Sequence, residues 1–164
     1  MRKLTYTAIA SAASFLMFGN LAFSATDSST FTSQIIIQAD CQIISTNTLD
    51  FGTHGVLTAN VDTTATFDVQ CTNTTAYNLQ LNQGTTAGGT IATRKMVNGG
   101  ATVDYMMYRD AGRTLNWGET NGTDTVAGTG NGAAQTITIF GRVPIQTTPA
   151  AATYTDTVTV TVEF

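Results

Sequence analysis

Apolar and polar side chains alternate with a two-residue period through much of this chain, which is the pattern of half-buried strands rather than helices. The clearest run is the last. From Tyr154 to Phe164 it puts Val158, Val160, Val162 and Phe164 on one face, with threonines on the other. A similar run, Phe31 to Gln38, precedes the first cysteine. Between them the pattern predicts strands at Cys41–Thr46, Asp62–Cys71, Ala76–Leu81, Arg94–Val97, Val103–Arg109 and Gln135–Val143. Leu49-Asp50-Phe51-Gly52 reads as a short continuation or bulge of the first of these. Asn98-Gly99-Gly100 is a hairpin signal. Residues 110–134, rich in Gly, Asn and Thr around Trp117, read as one long loop.

About seven short strands with turn residues between them and no helical periodicity past residue 24 predict an all-β, immunoglobulin-like sandwich. A small barrel is the alternative. Threonine, about a fifth of the chain, suits such pleated, half-exposed faces. A sandwich of this kind ordinarily has one more strand beside the one that ends at Phe164. The expectation is therefore an incomplete fold, missing its last strand, whose final strand leaves backbone donors and acceptors open.

Residues 1–24 read as a signal peptide. Met1-Arg2-Lys3 is a positive start, Leu4 to Phe23 is mostly apolar, and Ala22-Phe23-Ser24 places small residues for cleavage before Ala25. Polar residues interrupt the apolar stretch, which argues against a retained anchor, and no later segment is apolar enough to span a bilayer. Without Arg2 and Lys3, five basic residues face eleven acidic ones, a formal charge of −6. With no basic stripe, nucleic acid is excluded as a partner. Export also changes the meaning of Cys41 and Cys71. A lone pair in an exported protein reads first as one disulfide; two free thiols or a metal site are the alternatives. No second cysteine pair or histidine cluster would complete a zinc site.

Catalytic chemistry finds little support. His54, in Gly52-Thr53-His54-Gly55 near Asp50, lacks an activated serine and reads as a turn residue. Asp104, Asp110 and Asp124 lack the regular spacing of calcium ligands. The glycines at 128, 130 and 132 are not followed by the helix that a phosphate loop needs. Trp117 reads as a core residue rather than a sugar platform. No catalytic residue, metal or cofactor is expected.

Taken in order, these pieces resemble the spore coat U domain, the pilin domain of Csu-type archaic chaperone–usher fimbriae. They are Cys41; Leu49-Asp50-Phe51-Gly52; Val69-Gln70-Cys71-Thr72-Asn73; Tyr77-Asn78-Leu79 and Gly84; Tyr105-Met106-Met107-Tyr108-Arg109-Asp110; Trp117-Gly118; and Phe140-Gly141-Arg142-Val143-Pro144 before the valine run. Phe140 departs from the tyrosine expected there, which removes a hydroxyl. The resemblance implies a pilin domain over residues 39–164 that a periplasmic chaperone completes by lending a strand. At an outer-membrane usher, the amino-terminal extension of the next, identical or related, subunit then replaces it. Residues 25–38 would be that donor, with Phe31, Ser33, Ile35 and Ile37 entering the neighbour's groove. Val158, Val160, Val162 and Phe164 would line the acceptor groove and bind the chaperone. The implied product is a surface fimbrium serving adhesion and biofilm. A spore-coat or matrix protein of the same family and a secreted carbohydrate-binding sandwich using Trp117 and Tyr108 are the other readings.

Overall fold

The computed structural model describes residues 24–164, and the signal-peptide reading falls almost wholly outside them. The chain divides into two units after Ile35. The described part of the first, residues 24–35, holds no helix or strand, and Phe31 and Ile35 are 90% and 81% exposed. The alternation at 31–38 thus builds no strand in the single chain. A strand exists only where a partner supplies its ladder.

The second unit, residues 36–164, contains eight strands: β1 Cys41–Thr46, β2 Val61–Cys71, β3 Ala76–Leu81, β4 Arg94–Asn98, β5 Ala101–Tyr108, β6 Val126–Thr129, β7 Ala134–Val143 and β8 Val160–Glu163. They form a five-stranded sheet, order β1-β2-β7-β5-β4, and a three-stranded sheet, order β6-β3-β8. Every ladder between these strands is antiparallel. This is an all-β, immunoglobulin-like two-sheet sandwich.

Burial follows the two-residue period. In β2, Ala65, Phe67, Val69 and Cys71 are buried while Thr64, Thr66, Asp68 and Gln70 stay partly exposed. Tyr77, Leu79 and Leu81 of β3 face them across the core, with Val103, Tyr105 and Met107 of β5. Each large aliphatic side chain so buried contributes roughly 1.5–3 kcal/mol. Trp117 is fully buried against Phe67 and donates its indole N–H to the Leu79 carbonyl at 2.8 Å.

Three expectations change. Leu49–Gly52 is not a strand, because Asp50 turns the chain by accepting the Gly52 amide at 2.8 Å. Residues 110–134 contain β6, whose Val-Ala-Gly-Thr sequence carries too little apolar signal to be seen. The last run is not one strand: only Val160–Glu163 pairs with β3, while Thr155 bridges Val97 on the other sheet.

Candidate functional site: an open apolar groove

A groove of about 990 Å³ opens onto the core of the sandwich. Its floor is made by core residues of both sheets: Phe67, Leu81, Val103, Tyr105, Met107, Ile139 and Val143. Core side chains that line an open channel are apolar surface left for something else to cover.

One wall is residues 46–57, which follow β1. Here the Leu49-Asp50-Phe51-Gly52 motif finds its role. Leu49 and Phe51 lie over Gly141, where an added Cβ would come within 2.9 Å of both side chains. Phe51 meets Tyr105 edge-on, ring centres 6.0 Å apart. Gly52 takes φ +78°, a conformation costly for other residues. His54 Nε2–H donates to the Phe51 carbonyl at 2.6 Å, so the single histidine closes this turn.

The other wall is residues 148–158 with Val160. This segment changes sheets. Thr155 exchanges backbone hydrogen bonds with Val97 at 2.9 and 3.3 Å, and the Thr159 carbonyl then accepts from Asn82 N–H at 3.1 Å to join β3. Asp156 holds the crossing. Its Oδ1 accepts from the amides of Thr85 and Thr86 at 3.0 and 3.1 Å and from both hydroxyls, and its Oδ2 accepts from Tyr105 OH at 2.8 Å. Burial raises the Asp156 pKa, but the bonds from Tyr105, Thr86 and the neighbouring amides outweigh it and hold the group below the usual aspartate value. Burial first, and then the bond to Asp156, push the Tyr105 phenol far up, so it stays a donor. Gly84 makes room: an added Cβ would lie 2.0 Å from Asp156 Oδ2.

Arg94 supports the same region from below and was not suggested by the sequence. It is fully buried, and its guanidinium donates to the carbonyls of Asn82, Ile91, Leu81 and Trp117 at 2.7–3.2 Å. Burial lowers its pKa, opposed by Tyr105 and Asp156. The only prior hint was a charged residue at the start of an otherwise apolar-faced strand.

Of the four acceptor residues read from the sequence, Val158 and Val160 line the groove. Val162 is part of β8 and packs against the core, and Phe164 is 56% exposed. β8 is an edge of its sheet, with β3 on one side and no strand on the other. The donor residues Phe31, Ser33, Ile35 and Ile37 are all exposed. Cys41 and Cys71 form a disulfide, across the first residue pair of the β1–β2 ladder. The acidic residues considered as ligands have local roles. Asp104 pairs with Lys95 at 2.5 Å, Asp110 accepts the Thr114 and Leu115 amides, and Asp124 accepts the Thr120 amide. Trp117 and Tyr108 are buried, which removes the aromatic platform of a sugar-binding reading.

Fold and groove together define an immunoglobulin-like sandwich with an uncovered core channel beside an edge strand. Residues 27–161 match the Spore Coat Protein U domain model, and the chain belongs to that family. It is 33% identical to Protein U of Myxococcus xanthus, over 99% of this chain and 98% of that one. It is also similar to a solved chaperone–tip adhesion subunit pre-assembly complex, CsuC–CsuE, from the archaic chaperone–usher Csu pili of Acinetobacter baumannii. That match has a TM-score of 0.55 and 25% identity, covering 78% of this chain and 40% of that one. The chain therefore spans well under half the length of that solved chain.

Proposed function

We propose that this protein is a non-enzymatic structural subunit of a chaperone–usher surface fimbrium, assembled by donor-strand exchange and serving adhesion and biofilm formation. The supporting observation is an open groove of about 990 Å³ floored by core side chains, in a chain that also carries an exposed alternating segment at 31–37. Residues 25–38 are the donor and 39–164 the acceptor domain. A neighbour's Phe31, Ser33, Ile35 and Ile37 enter the groove, and ladder hydrogen bonds form along the edge that β8 leaves open. Burying Phe31, Ile35 and Ile37 yields about 5–9 kcal/mol, from roughly 1.5–3 kcal/mol each. Ordering the segment offsets part of this, so a long-lived fibre depends on slow unfolding as well. Before assembly a periplasmic chaperone occupies the groove, and the outer-membrane usher is where exchange takes place. Residues 1–24 direct export to the periplasm.

The test is to express the chain with and without residues 25–38, alongside a periplasmic chaperone. A chaperone complex is expected for both, and SDS-resistant, heat-dissociated polymers only for the longer chain. Polymers of the shortened chain would refute the assignment of the donor.

A further inference from the structure

The donor and the groove belong to one polypeptide, which raises the question of why the chain does not fill its own groove. On the reading that residues 31–37 are a groove-filling strand, we infer that the tether between Ile37 and Cys41 is too short for self-insertion, so the occupant must be a second molecule. β1 runs from Cys41 to Thr46, and Thr46 is the first groove-lining residue along the chain. The root of the donor thus lies five residue steps of β1, roughly 16 Å, short of the groove wall. From Ile37 to Cys41 there are four steps, which span at most about 14 Å fully extended and less if they must also reverse direction.

A tight hairpin does not remove the shortfall. A two-residue turn at Gln38–Ala39 would set Ile37 opposite Asp40, Ile35 opposite Gln42, Ser33 opposite Ile44 and Phe31 opposite Thr46. Only Phe31 would arrive at the groove, and the two isoleucines would lie alongside β1. Nor is the root free to slide. Asp40 continues the β1–β2 ladder: its carbonyl accepts the Thr72 amide at 2.9 Å, and its own amide donates to Thr72 Oγ1 at 3.1 Å. The next pair, Cys41 and Cys71, is covalently joined. Beneath it Gly130 leaves no slack, since an added Cβ would lie 2.6 Å from the Cys71 Cβ and 2.4 Å from the Thr72 carbonyl. The clamp and the short tether together reserve the groove for another copy or a related subunit.

The test lengthens the tether. Eight Gly/Ser residues inserted between Gln38 and Ala39 add about 26 Å of reach, more than the deficit. The full chain with this insertion should appear as a folded monomer by light scattering, with SDS-resistant polymer reduced at least tenfold relative to the unmodified chain. Adding Ile35→Asp and Ile37→Asp to the insertion should abolish that monomer. An inserted chain that polymerises as well as the original, or an unmodified chain that is already a self-filled monomer, would overturn the tether argument alone. A separate arm titrates a synthetic peptide of residues 25–38 onto the full chain carrying Ile35→Asp and Ile37→Asp, held in its chaperone complex. Failure of the peptide to displace the chaperone would overturn the groove-filling reading, and the tether argument with it.

Discussion

Asp156 offers the sharpest energetic test, because one carboxylate secures the wall of the groove. Asp156→Ala removes an acceptor that takes bonds from Thr85, Thr86 and Tyr105. Hydrogen bonds to a charged group are each worth roughly 1.5–3 kcal/mol. Water replaces the carboxylate at exposed Thr85, so the partly buried Thr86 and Tyr105 donors dominate the loss. The expected destabilisation is about 3–5 kcal/mol. Asp156→Asn keeps an acceptor for the threonines but loses the charge and turns an N–H toward Tyr105, for about 1–2 kcal/mol. The assay is urea unfolding of the chain with its groove filled by saturating donor peptide. The pH dependence follows from the sign of the shift. Asp156 is held below its usual value of 3.8, so its contribution is complete above about pH 4 and is lost as pH falls through the lower, folded-state value. Asp156→Asn should flatten that acid limb. An Asp156→Ala protein as stable as the original, or an acid limb unchanged in Asp156→Asn, would refute the role given to this carboxylate.

Replacing both Cys41 and Cys71 by alanine opens a loop with a sequence separation of 30 and should cost about 3–4 kcal/mol in the chain-entropy model, read by urea unfolding of the same peptide-filled form. Arg94→Met leaves four buried carbonyls without their donor and should destabilise by about 3–5 kcal/mol, with a corresponding fall in melting temperature. Ser33→Leu fills the one small position of the donor set and should slow exchange of donor for chaperone at least severalfold in a stopped-time gel assay; unchanged kinetics would remove Ser33 as the place where exchange begins.

Local sequence carried most of the strands. β3 occupies Ala76–Leu81 as its Tyr77/Leu79/Leu81 alternation predicts, and β2 differs by one residue. The Asn98-Gly99-Gly100 turn joins β4 to β5, and the two cysteines pair. These features are set by side-chain period or by turn residues, both visible within a few positions. The groove walls were less legible because they depend on contacts distant in the chain. Asp156 sits in a uniform Thr/Val run, and nothing near it announces Thr85, Thr86 or Tyr105. Arg94 looks like an ordinary surface charge until the carbonyls of Leu81, Asn82, Ile91 and Trp117 converge on it. β6 escaped because its strand character comes from pairing with β3, not from its own side chains.

The central claim is that residues 31–37 of one molecule lie in the groove of another. A photo-crosslinking residue at position 35, placed in an equal mixture of isotopically light and heavy chains assembled with chaperone, tests it most directly. Mass spectrometry should find light–heavy crosslinks from position 35 to groove residues such as Phe67, Tyr105 or Val143. Crosslinks confined to a single isotopic species, or none to the groove at all, would contradict the account.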